Sequence, residues 1–340
     1  MVREPKTIML TRRKFISGIA LATSTPHVQS QNSVKKSWQK QREKTLEGMQ
    51  EVMGKLPKFQ RTQNRVWVES FPHSSLIKRW KIKYESESGD LVPAYLLFPE
   101  YWHRFTPAML CLHQTTKIGK DEPAGLGGKP DLHYAEELAM SGYVCIVPDY
   151  PYLGENNFNP YEHGYVSGTM KGIVNHMRAI DILQAMEIVD PRRIGVIGHS
   201  LGGHNALFVA AFDQRIKAVV TSCGFTKFSK YNNGNLKGWA GERYMPLIEK
   251  NYHNDPAQMP FDFPDILSAI APRAVFVSAP LRDTNFDNSG VRECIESAMP
   301  IYEKVFGAKE KLVANYPAAG HEFPFTMRIQ AYEFLGKYLK

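Results

Sequence analysis

The stretch RRIGVIGHSLGGHNALF, residues 192–208, decides the fold. Arg193-Ile194-Gly195-Val196-Ile197 reads as a buried strand, because a short apolar run bounded by polar residues suits a strand covered on both faces. Asn205-Ala206-Leu207-Phe208-Val209-Ala210-Ala211 reads as a helix. Between them stands Gly198-His199-Ser200-Leu201-Gly202, the pattern Gly-x-Ser-x-Gly. A serine before a helix is often an N-cap, its hydroxyl accepting from a free N–H of the first turn. At a strand-to-helix corner flanked by glycines it has a second reading. There the backbone is strained, the hydroxyl stands above the sheet, and the neighbours must be small because strand and helix backbones approach closely. A reactive serine of that kind needs an acid and then a histidine further along the chain, each on a loop that follows a strand.

The rest of the chain supplies that setting. From Ala108 onward strands and helices alternate. Met109–His113, Tyr143–Pro148, Ile194–Gly198, Ile216–Ser222, Ala274–Ala279 and Leu312–Tyr316 read as strands. Leu132–Ser141, Gly168–Glu187, Leu201–Phe212, Val291–Phe306 (interrupted by Pro300) and Pro324–Leu339 read as helices. Continuous apolar strands alternating with helices predict an α/β fold whose mostly parallel central sheet is covered on both faces. Before it, Val66–Val68 is a strand, and Ile77–Tyr84 and Leu91–Phe98 flank a Ser-Gly-Asp turn as an antiparallel hairpin. Val34–Lys55 reads as an amphipathic helix. Residues 224–265 break the alternation and are rich in Asn, Gly and aromatic side chains. Such a segment is either a cap over the site or a surface excursion packed by its own rings. Within it Trp239 and Tyr244 are the candidate substrate-binding residues, because both offer flat amphipathic surfaces.

The acid is sought after the strand Ala274–Ser278, at Asp283, with Asp287 as competitor. Residues 223–241, where an earlier acid would stand, contain no Asp or Glu. Asp149 also ends a strand but precedes the serine, and reads as an organiser of its loop. The base is His321, after the last strand, between Gly320 and a Pro324 that opens the final helix. The order Ser200, Asp283, His321 runs with gaps of about 80 and then about 40 residues. Ser200 becomes a nucleophile when His321 takes its proton, and Asp283 holds the imidazole tautomer. For the oxyanion, the donors are the Leu201 N–H at the helix N-terminus and a second N–H from His113-Gln114-Thr115-Thr116, with Gln114 first and Thr115 next. His113, His199 and His204 read as structural or wall residues.

Composition excludes other classes. The 340 residues carry a net charge of +8 and are 43% hydrophobic, enough for a sizeable core. The basic residues are scattered and no zinc-finger or RNA-binding signature accompanies them, so nucleic acid is not an expected partner. The four cysteines, Cys111, Cys145, Cys223 and Cys294, lie far apart and read as small core residues; no metal or other cofactor is expected. No stretch is long enough to span a membrane. Thr11-Arg12-Arg13-Lys14-Phe15-Ile16 followed by Ser17–Ala22 has the order of a twin-arginine export signal, which implies the twin-arginine machinery as a partner and a periplasmic or secreted enzyme, with a cytoplasmic location as the alternative. The domain reading is a signal and linker over 1–30, a helical extension over 31–64, and a catalytic domain over 65–340.

Residues 65–340 resemble the α/β-hydrolase fold family, through the elbow, the His113-Gln114 loop and the order Ser200, Asp283, His321. Within it, His113-Gln114-Thr115-Thr116-Lys117-Ile118-Gly119-Lys120-Asp121-Glu122 and the Pro148-Asp149-Tyr150 loop resemble the dienelactone-hydrolase-like and acetyl-xylan-esterase-like branch of serine esterases. Two departures matter. Dienelactone hydrolases use a cysteine nucleophile where this chain has Ser200, and glucuronoyl esterases follow the serine with arginine where this chain has Leu201. The prolyl-oligopeptidase branch shares the catalytic domain, but too little chain precedes it here for a propeller. The resemblance implies a carboxylic-ester hydrolase acting through an acyl-enzyme on a small-molecule or carbohydrate ester. A peptidase or amidase, or a silent binding protein, are the alternatives on the same scaffold.

Overall fold

Ten strands form one sheet in the order β1-β2-β3-β4-β6-β5-β7-β8-β9-β10. The structure is a computed structural model that describes residues 6–9, 26–58, 64–72 and 76–340. The parallel part contains β5 (Thr106–Leu112), β6 (Val144–Pro148), β7 (Val189–His199), β8 (Ile216–Ser222), β9 (Ala274–Ser278) and β10 (Leu312–Asn315). β5, β6 and β9 are buried along their whole length, and β7 and β8 through their C-terminal halves, as strands covered on both faces must be. The hairpin β3 (Ile77–Glu87) and β4 (Asp90–Pro99) joins antiparallel to β6, and β2 (Arg65–Ser70) and a short β1 (Lys6–Met9) extend that edge.

Helices cover both faces. On one side α1 (Pro26–Met53), α3 (Gly168–Ala185), α4 (Leu201–Phe212), α6 (Phe263–Ile270) and α7 (Asn288–Pro300) bury their apolar sides in the larger core. On the other, α2 (Tyr134–Met140) and α8 (Phe325–Leu339) pack on Met109, Cys145, Ile197 and Phe276. The four cysteines are buried and unpaired, as small core side chains. The chain order β5, β6, β7 against the sheet order β6-β5-β7 puts a topological switch beside β5. In open α/β sheets ligands bind at the carboxyl ends of strands at such a point.

Three features depart from the sequence reading. α1 starts at Pro26, so residues 26–30, read as the end of the signal and linker, are helical. Proline suits the first turn of a helix, and the polar run behind it holds no helix breaker. The helix is also no loose extension: Trp38 Nε1 donates to Ser268 O at 2.8 Å, and Arg42 donates to Ala269 O at 3.2 Å and Ala211 O at 2.7 Å. β1, at the edge of the sheet, lies within the residues read as an export signal; the twin-arginine stretch 11–16 lies outside the described residues. Finally, the segment between β8 and β9 is not wholly irregular: it contains the short helix α5 (Leu247–Tyr252) and closes at Asp262, whose carboxylate caps α6.

Candidate active site

Ser200 stands at the corner between β7 and α4 with φ of 53° and ψ of −118°. A non-glycine residue with positive φ is strained, and such strain persists only where the surroundings impose it. Here they do. A Cβ on Gly202 would overlap the Leu112 carbonyl, and one on Gly198 would overlap the Gly202 backbone. The two glycines therefore let α4 sit directly on the ends of β5 and β7. Ser200 N–H is held by Ser222 O at 2.8 Å, and its side chain makes no N-cap bond. The hydroxyl turns instead to His321.

The structure brings Ser200, Asp283 and His321 together from three loops at one end of the sheet. His321 Nε2 lies 2.9 Å from Ser200 Oγ, and His321 Nδ1 lies 3.0 Å from each Asp283 oxygen. With Asp283 ionised, Nδ1 carries the proton and Nε2 accepts from the serine hydroxyl. Burial pushes the Asp283 carboxyl up. His321 and the N–H groups of Asn285 and Phe286 outweigh that and hold it below the ordinary carboxylate range. Asp287 does something different: it caps α7, accepting from Ser289 N at 2.7 Å.

The loop after β5 lies across the cleft from the elbow helix. The N–H groups of Leu201 and Gln114 have no acceptor among the described residues. His113 fixes the course of the loop. Its Nε2 accepts the Tyr150 N–H at 3.0 Å, so its Nδ1 carries the proton, which it donates to Gln114 O at 2.6 Å. Burial lowers the His113 pKa and keeps it neutral, as that tautomer needs. Glu122 adds a second tie, accepting from Gln114 Nε2 at 2.8 Å. Asp149 anchors the neighbouring turn as its position suggests: it is fully buried and accepts from the Lys120 backbone, the Lys120 ammonium and the Glu155 N–H.

Residues 223–262 fold over this end of the sheet. A cleft of about 400 Å³ separates them from the elbow, lined by Ser200, Leu201, Gln114, His321, Trp239 and Tyr244 among others. Trp239 is only 4% exposed and packs against His204, Tyr231 and Phe286, so it is both cleft wall and cap core. Tyr244 is more open, and its hydroxyl pairs with Thr115 Oγ1 at 2.9 Å. The cap is also tied to the core by Tyr150 OH, which donates to Arg243 O at 2.9 Å.

Several lining residues carried no usable signal in the sequence: Lys129, Asn285 and Phe286 reach the cleft only through tertiary folding, whereas Tyr231 is one of the aromatic side chains of the segment 224–265. His204 lines it too. Its Nδ1 donates to Gly224 O at 3.2 Å and burial pushes it down to about 3, so it is a neutral wall residue. His199 lies behind His321, ring centroids 5.0 Å apart, and is likewise pushed down to about 3 by burial. Among the described residues, one group has metal-ligand spacing: Cys223, Asp283 and His321, with ligand atoms within 4.8 Å of one another. Two of its members already hydrogen-bond each other.

Residues 158–306 match the family described as glucuronyl esterase, fungi. That segment contains the elbow, the cap and Asp283, and stops short of His321. The quorum-quenching protein AidA of Acinetobacter baumannii is 32% identical over 105 residues, 30% of this chain and 34% of that protein, so the match spans about a third of AidA. The glucuronoyl esterase of Solibacter usitatus superposes with a TM-score of 0.68 at 18% identity, covering 88% of this chain and 93% of that one. Acetyl xylan esterase 1 of Thermoanaerobacterium sp. superposes at 0.57 and 15% identity, covering 89% and 92%. The fold is the α/β-hydrolase fold of these structures. Fold and family match together support a carboxylic-ester hydrolase.

Proposed function

We propose that the protein is a serine hydrolase that cleaves carboxylic esters, including acyl esters of carbohydrates, through an acyl-enzyme. The observation that carries this reading is the continuous relay from Ser200 Oγ through both nitrogens of His321 to Asp283. Ser200 Oγ attacks the ester carbonyl while His321 Nε2 takes its proton. The tetrahedral oxyanion is held by the N–H groups of Leu201 and Gln114, and each such donor contributes about 3–4 kcal/mol to the transition state. Collapse expels the alcohol, which leaves with the proton from His321. Water then repeats the sequence on the acyl-enzyme, releasing the acid and restoring Ser200. The aromatic walls formed by Trp239 and Tyr244 suit a sugar ring or an aryl group.

The test is a fluorophosphonate label followed by an ester and amide panel. Labelling at Ser200, lost in Ser200→Ala together with ester turnover, supports the reading. Ester turnover retained in Ser200→Ala overturns it, and faster cleavage of peptide amides than of esters moves the chain to the amidase class. Export by the twin-arginine route is part of the same proposal. Among the described residues no helix is long and apolar enough to cross a membrane. Lysine at both Arg12 and Arg13 should leave the precursor in the cytoplasm; unchanged periplasmic enzyme in a fractionation would count against export.

A further inference from the structure

Among the described residues lining the cleft, Lys129 carries the one permanent charge, and no carboxylate faces it across that space. Lys129 is exposed, and its ammonium has no ion pair among the described residues. Its backbone, by contrast, is fixed. Glu122 accepts the Lys129 N–H at 2.9 Å through one oxygen and Gln114 Nε2 at 2.8 Å through the other. The same carboxylate thus sets the register of the cation and of the loop proposed to hold the oxyanion. Trp239, which also lines the cleft and is almost wholly buried, keeps its indole N–H without an acceptor among the described residues. Beside the carboxamides of Gln114 and Asn285, the cleft thus offers a buried indole donor and one cation, and no carboxylate in its lining.

We infer that the physiological ester carries an anion, a carboxylate on its acyl or its alcohol part, and that Lys129 is its counter-ion. The inference rests on the proposed serine-esterase reading and narrows its substrate class. An ion pair formed between Lys129 and that anion on binding orients the ester in the cleft beside Ser200. Lys129 is a specificity-determining residue here. It takes no proton and forms no bond.

Two pairs of anionic and neutral esters test this. For the acyl side, mono-p-nitrophenyl glutarate is compared with p-nitrophenyl pentanoate; for the alcohol side, p-acetoxybenzoate with p-acetoxybenzamide. The readout is the anionic-to-neutral ratio of kcat/KM in the wild type, Lys129→Met and Lys129→Glu, which cancels the intrinsic reactivity of each ester. The expected result is a fall of about five- to tenfold in that ratio in Lys129→Met for one of the two pairs, with a further fall in Lys129→Glu. Added salt should lower the wild-type ratio and leave that of Lys129→Met flat. The pair that responds identifies the side bearing the anion. Ratios unchanged in both pairs, or neutral esters losing as much as anionic ones, overturn the inference. That outcome leaves the esterase reading standing as long as neutral esters are cleaved through Ser200. Failure to cleave any ester strikes the earlier reading instead.

Discussion

Asp283 presents both carboxylate oxygens at 3.0 Å from His321 Nδ1, and at the same time accepts the N–H groups of Asn285 and Phe286. The backbone bonds fix the carboxylate before the imidazole meets it. Asp283→Asn keeps the shape but lets the amide favour the wrong imidazole tautomer. In serine hydrolases that change lowers kcat by about four orders of magnitude. Asp287→Asn leaves the relay intact and still provides a cap, so activity stays near wild type and stability falls by less than about 1 kcal/mol. Steady-state kinetics on p-nitrophenyl acetate with both variants checks the pair. A larger loss in Asp287→Asn would reassign the acid.

Thr115 and Tyr244 join the loop after β5 to the cap by a single hydroxyl pair at 2.9 Å. Tyr244→Phe removes that tie while keeping the ring. A neutral, partly exposed hydrogen bond is worth about 0.5–1.5 kcal/mol, so global stability changes little. The loop bearing Gln114 loses one restraint, and kcat should drop by about three- to tenfold on every ester alike. Comparing kcat across a small acetyl ester and a bulky aryl ester checks this. A selective loss on the bulky ester alone would mean that Tyr244 acts as a contact surface and not as a tether.

The parallel sheet was legible because apolar strand runs alternate with helical segments; β8 and α4 begin and end at the residues expected from the pattern. Ser200, Asp283 and His321 were legible because each follows a strand and must lie at one edge of the sheet. The choice of Asp283 over Asp287 was left open, since both stand on the same exit loop and only the folded turn separates an imidazole partner from a helix cap. The cleft was the least legible part. Lys129, Asn285 and Phe286 are ordinary loop residues in sequence, and their convergence depends on how the cap descends. The helical start at Pro26 was hidden for another reason: its first residues are polar and lack the apolar spacing by which a helix is read.

Trp239 joins two roles that one substitution affects together. Its ring meets His204 at 4.7 Å and Tyr231, Phe228, Phe263 and Phe286 at 5.6–5.9 Å, while one side faces the cleft. Trp239→Ala should destabilise by about 3–5 kcal/mol through lost packing. If the ring also holds substrate, KM rises for a bulky aryl or sugar ester and much less for p-nitrophenyl acetate. Kinetics well below the variant's own melting temperature separates the two effects. Equal changes on both esters would leave Trp239 as packing for the cap alone.

Around the elbow His176, His199 and His204 are buried, and burial pushes each of them down to about 3. In the unfolded chain an imidazole titrates near ~6.5. A base whose folded pKa is lowered stays neutral in the fold, so between those limits the unfolded chain binds protons that the folded one refuses. The sign follows: stability is complete above about pH 6.5 and falls as the pH drops. Each histidine removes up to ~1.4 kcal/mol per pH unit across that window. Asp283 works in a lower range, since a carboxylate with a lowered folded pKa gives up its stabilisation only as the pH falls below about 4. Burial lowers His113 in the same direction, whereas Asp262, pushed up to about 6 by burial, holds a proton in the fold over this range and offsets about one histidine, so urea unfolding between about pH 7.5 and about pH 4.5 should show a net slope of about two to three protons near about pH 5. His176→Gln, which removes one group outside the cleft, should lower that slope by about one proton. A stability that stays flat down to about pH 5 would mean that these imidazoles reach solvent, and that the shell behind Ser200 opens more readily than its packing implies.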